Sequence, residues 1–257
     1  MTSVQRVVAP NPGPYTGPGT NTWIVDAGPV AVVIDPDPDD DGHLAAIDRR
    51  LGSTAVGVVL VTHSHPDHLP LAARLAQRHR AAVRRYPELG DGDIVRVGNL
   101  NVTALYTPGH SADHLSFWLA GDRALFTGDL VLGRGSSMVT YPEGDVADYL
   151  RSLERLQAIE PRILFPGHWD PVTDAMGKLH EYRTHRLERE AQVLAEVTRG
   201  KGTAPALTRR VYGVDLSDEL MAAAEMTLRA HLKKLVDDGA VKVQIVNAEE
   251  VFETSVS

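Results

Sequence analysis

The sequence predicts an α/β protein in two parts, a layered domain followed by a small domain rich in helix. Between residues 22 and 167, seven short apolar runs are rich in Val, Ile, Leu, Phe or Trp and are bounded by Gly, Pro or Asp, as strands are. Three stretches of the same region have helical periodicity, and after residue 174 the chain changes to long, charged amphipathic segments. Strands mixed with amphipathic helices indicate a layered α/β fold.

The first part begins with a loop rich in Pro, Gly and Thr at residues 11–22. The predicted strands are 22–27, 30–35, 56–62, 100–107, 115–120, 123–129 and 162–167. The predicted helices are 42–51, 69–80 and 146–160. We assign residues 1–174 to this domain.

The second part has the order helix, turn, helix, strand. A long helix is predicted over 178–199, a Gly/Thr/Pro break follows at 200–205, and a second helix at 219–239 ends on a glycine. A strand is predicted over 240–246. This order is typical of a winged-helix domain, which we assign to residues 175–257.

Composition excludes several classes of protein. No apolar run approaches the roughly 18 residues that a membrane helix needs, and the amino terminus lacks the pattern of a signal peptide, so we expect a cytoplasmic protein with no membrane partner. There is no cysteine, so a metal site would use nitrogen and oxygen ligands. A formal net charge of −8 argues against a broad basic surface for nucleic acid. The 21 arginines against 5 lysines suggest a GC-rich bacterial genome.

The motif THSHPDH concentrates potential metal ligands directly after an apolar run. His63, His65, Asp67 and His68 lie within six positions. We expect His63 and His65 to point to one side at the end of the strand, and Asp67 and His68 to open the next helix. Zinc accepts such nitrogen and oxygen donors at about 2 Å.

Three further motifs repeat the pattern of an apolar strand, a turn of small residues and a potential ligand. They are TPGH ending at His110, FTGD ending at Asp129 and FPGH ending at His168. Strand ends along one edge of a sheet would bring these loops together. Seven ligands suit two metals roughly 3.5 Å apart with one bridging carboxylate. The predicted ligands are His63, His65 and His110 for the first metal, Asp67, His68 and His168 for the second, and Asp129 as the bridge. Two Zn²⁺ ions fit best, and other divalent metals are compatible.

These motifs, in this order, resemble those of the metallo-β-lactamase superfamily, which implies a four-layer αββα sandwich in which Asp35 supports the metal loop without binding metal. The amino-terminal loop, the segment GDLVLGRGSS, the helix HEYRTHRLEREAQVL and the winged-helix segment are similar to the beta-lactamase-like protein 2 family over essentially the whole chain. One departure is Trp169, since the family usually has Gly after PGH; the ring could reshape the approach of the substrate. The absent cysteine disfavours the commonest zinc β-lactamases.

The predicted chemistry is hydrolysis by a metal-bridging hydroxide, with Asp67 as a metal ligand and candidate proton acceptor. Candidate substrate contacts follow the metal motifs: they are Arg134, Ser136, Ser137, His114 and Trp169. The resemblance implies an endoribonuclease of single-stranded RNA. Two alternatives stay open: hydrolysis of a small carbonyl substrate such as a thioester, lactone or β-lactam, and a winged-helix nucleic-acid-binding module with a structural metal domain. A homodimer is a further expectation.

Overall fold

The computed structural model describes residues 2–255. In chain order the elements are β1 (Val4–Val8), β2 (Asn21–Asp26), β3 (Val30–Ile34), α1 (Asp41–Leu51), β4 (Ala55–Leu60), α2 (Pro70–His79), β5 (Ala82–Arg84), β6 (Ile94–Val97), β7 (Leu100–Tyr106), β8 (Leu115–Leu119), β9 (Ala124–Gly128), α3 (Val146–Ala158), β10 (Ile163–Pro166), α4 (Ala175–Arg199), α5 (Ala204–Tyr212), α6 (Asp218–Asp237), β11 (Val241–Val246) and β12 (Glu249–Thr254).

Two five-stranded mixed sheets form the first part of the protein. One has the order β1-β2-β3-β4-β5, in which β3, β4 and β5 are parallel; the other has the order β10-β9-β8-β7-β6, in which only β9 and β10 are parallel neighbours. Side chains of both sheets share one apolar core, which includes Trp23 and Ile34 from the first sheet and Phe117 and Phe126 from the second. The sheets therefore pack face to face.

Helices α1 and α2 cover the outer face of the first sheet. Leu44 and Ile47 of α1 and Leu71 and Leu75 of α2 are buried in one cluster with alternate residues of β3 and β4. The Asp40 side chain caps α1 by accepting from the amide of His43 at 2.7 Å. This packing fixes β3 and β4, whose carboxyl ends lead into the metal motifs.

The chain divides into two compact units. The first comprises residues up to 108, 113–137 and 155–179, and the second comprises 109–112, 138–154 and the residues from 180 onward. Within the second unit α5, α6 and the hairpin of β11 and β12 surround a core that includes Leu207, Leu228, Leu232 and Phe252. The predicted domain boundary between residues 174 and 175 stays a prediction.

The structure differs from the sequence-based expectation in several elements. The short strands β1, β5, β6 and β12 and the helix α5 were not predicted. Strand β4 ends at Leu60, so His63 and His65 lie in the loop after the strand, and α2 begins at Pro70, so Asp67 and His68 lie in the turn before the helix. The expectation that one sheet edge gathers the ligand loops was wrong: THSHPDH follows the first sheet, whereas the other three motifs follow β7, β9 and β10 of the second.

Among residues 2–255, no helix is both long enough and apolar enough to span a membrane.

Candidate metal centre

Two groups of potential metal ligands occur among the described residues, and they are those that the motifs predicted. One consists of Asp67, His68, Asp129 and His168, and the other includes His63 and His65. In the first group, one candidate donor atom of each residue lies within 4.8 Å of every other.

The loop after β4 brings two histidine rings of the second group together. His63 Nε2 lies 3.0 Å from His65 Nδ1, and their ring centroids are 4.4 Å apart. The amide of His68 donates to the carbonyl of His65 at 3.0 Å, which closes the turn before α2. The two rings thus meet at their nitrogen edges, as two ligands of one ion would.

The buried carboxylate of Asp35 orients this loop from below. Its Oδ1 accepts from the Thr62 amide at 2.7 Å, and its Oδ2 accepts from Thr62 Oγ1 at 2.7 Å and lies 3.0 Å from His68 Nδ1. Thr62 Oγ1 is also 3.0 Å from His63 Nδ1. Because the single hydroxyl hydrogen goes to Asp35, His63 donates from Nδ1, so its Nε2 keeps the lone pair that a metal needs. His68 likewise donates from Nδ1 to Asp35 Oδ2. In neutral His68 the lone pair that can bind a metal is therefore on Nε2.

The four-residue group has the spacing of ligands around one ion. His68 Nε2 lies 3.4 Å from Asp129 Oδ1 and 3.8 Å from Asp67 Oδ2, while His168 Nε2 lies 3.2 Å from Asp67 Oδ2 and 3.3 Å from Asp129 Oδ2. The Nε2 atoms of both histidines are buried and have no hydrogen-bond partner of ordinary geometry. Two atoms that each bind a tetrahedral zinc at about 2.0–2.1 Å are about 3.3 Å apart, so the donor set fits the metal.

The charges of this group also favour a cation. Burial opposes the charged form of His68, yet Asp129 and Asp35 raise its pKa well above the usual value. Burial likewise opposes ionisation of Asp129, but His168 and His68 hold its pKa well below the usual value. The pKa of His168 rises to about 9, because Asp129 and Asp67 outweigh the effect of burial. Protons on two histidines thus balance the carboxylates, and a divalent cation can replace them.

The amino-terminal loop and a glycine fix His168. Its Nδ1 lies 3.4 Å from the carbonyl of Gly19, and the amide of Asn21 donates to the carbonyl of Gly167 at 2.7 Å. A Cβ at Gly167 would collide with Asp129 Oδ1 and lie 2.7 Å from His68 Cε1. The glycine of PGH is therefore required by the close approach of two candidate ligands.

His110 belongs to the segment 109–112 of the second unit. Its Nδ1 lies 2.7 Å from the carbonyl of Met138. The division of the ligands between a first and a second metal stays a prediction.

The candidate substrate contacts fall into buried and exposed residues. His114 is fully buried; its Nδ1 lies 3.0 Å from Thr107 Oγ1 and its ring centroid lies 5.2 Å from that of His63, so it supports the metal loop. Ser137 is buried too, and its hydroxyl donates to the carbonyl of Asp129. This burial favours supporting roles for both residues, and their contact with a substrate stays a prediction.

Arg134 and Ser136 are exposed and Trp169 is half-buried. The guanidinium carbon of Arg134 lies 5.5 Å from the centroid of the Trp169 ring. Substrate contact by these three residues stays a prediction.

Two supporting residues were missed at the sequence level. Thr62 links Asp35 to His63, and its place as the first residue of THSHPDH was the available signal. Asp37 is fully buried, and burial raises its pKa to about 7, although its position in the acidic run DPDPDD is typical of an exposed loop. Only the fold shows that the first half of this run, residues 35–37, is buried.

Comparison with known proteins agrees with this geometry. The family model of the metallo-beta-lactamase superfamily matches residues 15–91 and 86–168, and that of the beta-lactamase associated winged helix domain matches residues 203–245.

Relatives and solved structures match over nearly the whole chain. A beta-lactamase-like protein 2 homolog from Caenorhabditis elegans is 30% identical and covers 93% of this chain and 86% of its own. An atrochrysone carboxyl ACP thioesterase from Aspergillus chevalieri is 32% identical and covers 94% of this chain and 83% of its own. The crystal structure of a beta-lactamase domain protein from Burkholderia ambifaria has a TM-score of 0.86 at 22% identity, with 98% of this chain and 91% of that chain covered, a likeness of fold alone. The chain therefore belongs to the metallo-β-lactamase superfamily, with its associated winged-helix domain, and is a metal-dependent hydrolase.

Proposed function

We propose that the protein is a dinuclear zinc hydrolase that cleaves thioesters. The observation that carries the hydrolytic assignment is the group of four donors, with imidazole–carboxylate distances of 3.2–3.8 Å and two buried imidazole nitrogens left without a hydrogen-bond partner. Asp67, His68 and His168 would hold one metal, His63, His65 and His110 would hold the other, and Asp129 would contribute to both.

When bound, the two cations supply an activated water and polarise the carbonyl oxygen under attack. The residues of the chain orient the histidine rings and accept the proton. Asp35 and Thr62 hold the rings of His68 and His63 with Nδ1 protonated. We assign proton acceptance to Asp67, because its side chain is 28% exposed whereas those of His68 and His168 are 0% and 1% exposed. The reaction consumes water and releases a carboxylic acid and a thiol.

Two features support a thioester over single-stranded RNA. A chain with a formal net charge of −8 repels a polyanion, whose binding depends on clustered Lys and Arg. In addition, a relative that is 32% identical over 94% of this chain is named as an acyl-carrier-protein thioesterase. Similarity to a beta-lactamase-like protein 2 homolog supports RNA cleavage as the second candidate. A non-catalytic binding module is disfavoured, since structural zinc sites are usually closed and mononuclear.

A panel of acyl thioesters tests the proposal, with thiol release followed by a chromogenic thiol reagent. We expect zinc-loaded protein to release thiol and Asp129→Asn to lower kcat/KM by about 10³-fold or more, because a bridging ligand is weakened. The matched control is Asp215→Asn, at an exposed loop position of the second unit. The same preparations are incubated with a fluorescent single-stranded RNA.

Thiol release that is lost in the Asp129 variant and retained in the control supports the proposal. Cleavage of the RNA without thiol release refutes thioester hydrolysis in favour of the second candidate. Metal analysis of the purified protein tests zinc against manganese and iron, which the same donors accept. The cytoplasmic location and the homodimer remain proposals, the latter to be tested by light scattering.

A further inference from the structure

The residue after the last metal histidine has an unusual backbone conformation. Trp169 has φ 72°, in the left-handed region that favours glycine and that a bulky residue rarely adopts. A conformation of this kind persists only where the surroundings enforce it, and such positions concentrate at ligand sites.

Hydrogen bonds from two other segments hold this backbone in place. The carbonyl of Trp169 accepts from Asn21 Nδ2 at 2.7 Å and from Arg6 Nη1 at 3.0 Å. Asn21 is fully buried, and its Nδ2 also donates to the carbonyl of Pro166 at 3.0 Å. The peptide between Trp169 and Asp170 is therefore held by side chains of strands β1 and β2.

Two glycines make room for the indole ring. A Cβ added at Gly17, in the amino-terminal loop, would collide with the six-membered ring of Trp169, and a Cβ at Gly133 would lie 2.8 Å from the Trp169 Cβ. The amide of Gly133 also donates to the carbonyl of His168 at 3.1 Å. The loop that follows Asp129 is thus joined to the end of the PGH motif, and the ring lies between two glycine-bearing loops.

Arg134, the next residue of that loop, lies over the ring. Its guanidinium carbon is 5.5 Å from the ring centroid, and within residues 2–255 it forms no ion pair. A guanidinium carries five N–H donors in one plane. Those donors can make paired hydrogen bonds to a carboxylate or a phosphate.

We propose that Arg134 on Trp169 forms an anion-recognition platform beside the metal centre, and that Trp169 is the positioning residue that holds Arg134 there. This inference rests on the proposed thioesterase function. Its ligand is an anionic group of the substrate, borne by the thiol arm as a phosphate or by the acyl chain as a carboxylate.

Three thioesters of one acyl length distinguish these sources: a neutral acyl N-acetylcysteamine, its ω-carboxyacyl counterpart and the acyl-coenzyme A. We expect Arg134→Ala to raise KM for one of the two anionic thioesters roughly 10- to 100-fold with little change in kcat, because a charge-assisted hydrogen bond made equally in ground and transition states is lost. The preference for that anionic thioester over the neutral one should fall by the same factor.

Variants of Trp169 test the positioning role. Trp169→Gly places glycine at a left-handed backbone position and should retain the fold, yet raise the same KM; Trp169→Phe keeps an aromatic face and should restore it in large part. Gly17→Ala displaces the ring without altering either partner and should act like Trp169→Gly. The matched control is Arg50→Ala, an exposed arginine on α1.

Binding measurements keep the test independent of turnover. Calorimetric titration with coenzyme A and with an ω-carboxyalkyl thioether of N-acetylcysteamine, on metal-loaded protein, should show weaker binding of one probe to Arg134→Ala. If no thioester is hydrolysed but this difference is seen, the proposed function fails and the platform stands. If Arg134→Ala matches the Arg50 control for both anionic thioesters and both probes, or if the wild type binds neither probe, the platform is refuted.

Discussion

Replacing Asp35 by asparagine tests whether this residue controls the metal centre through His68. The change preserves shape, and asparagine tolerates the positive φ of 50° at this position better than most residues do. It removes the negative charge that faces His68 Nδ1 and replaces one acceptor oxygen by an NH₂ group.

The size of the effect follows from the three donors around the carboxylate. Oδ1 accepts one bond, from the Thr62 amide, and Oδ2 faces two donors, Thr62 Oγ1 and His68 Nδ1. With its oxygen at the Oδ2 position, the substituted asparagine side chain keeps two acceptor contacts but turns its NH₂ toward the Thr62 amide. One buried donor is then unsatisfied, at about 1–3 kcal/mol. Mutation of a residue that orients a metal-binding histidine typically lowers metal affinity about 10–100-fold, which corresponds to about 1.4–2.7 kcal/mol.

We therefore expect Asp35→Asn to weaken zinc binding at the proposed site of His68 roughly 10- to 100-fold, measured by competition with a chromophoric chelator. The matched control is Asp48→Asn, which removes the charge from another aspartate–histidine pair, formed by Asp48 of α1 and His79 of α2. The control should leave zinc affinity within about threefold of the wild type, a smaller change than the 10- to 100-fold loss expected when an orienting residue is removed. Wild-type affinity in Asp35→Asn would refute the orienting role.

Two further predictions concern the packing of the site and the second unit. Gly167→Ala should weaken metal binding and lower the melting temperature, because the added methyl group collides with Asp129 Oδ1 and approaches His68. Melting curves with and without zinc would check this. Unchanged metal affinity would contradict the required close approach of Asp129 and His68 to Gly167. Burial and the neighbouring cations Arg186 and Arg189 lower the pKa of His231 to about 3. The unfolded chain therefore binds the proton first as pH falls below about 6.5, and folding loses up to about 1.4 kcal/mol per pH unit between there and pH 3. His231→Leu should flatten the fall of urea-unfolding free energy between pH 6.5 and 4.5, and equal slopes in both proteins would contradict the burial of a neutral imidazole.

The candidate ligand residues could be named from the sequence because their signal is local. Each motif places its first candidate ligand within four residues of the end of a strand, and the ends of β7, β9 and β10 do lie at one edge of the second sheet. That THSHPDH joins them from another sheet could not be predicted, since apolar alternation does not say which strands are neighbours. The packing that decides it, in a core that includes both Ile34 and Phe117, joins residues that are far apart in the chain.

The elements that were missed depend on tertiary pairing. Strand β5 has three residues and β6 has four, too few for a period of two to be recognised. Strand β12, EEVFET, is rich in glutamate, which is depleted in strands, and is held by full pairing with β11. Local propensity was insufficient in these elements, and partners distant in sequence supplied the missing stabilisation.

Trp169 shows what a sequence departure can and cannot reveal. The motif PGH followed by a bulky residue identifies the position as unusual, but sequence alone does not distinguish a tolerated surface change from a specific role. The structure separates these readings, because a left-handed tryptophan needs space that other segments must provide. That space lies at Gly17 and Gly133, which are far apart in sequence, and the guanidinium of Arg134 lies 5.5 Å from the centroid of the ring. If the tryptophan were incidental, substituting Gly17 by Ala would affect folding alone; a selective loss of anionic substrates instead would show that the two glycines and the ring act as one unit.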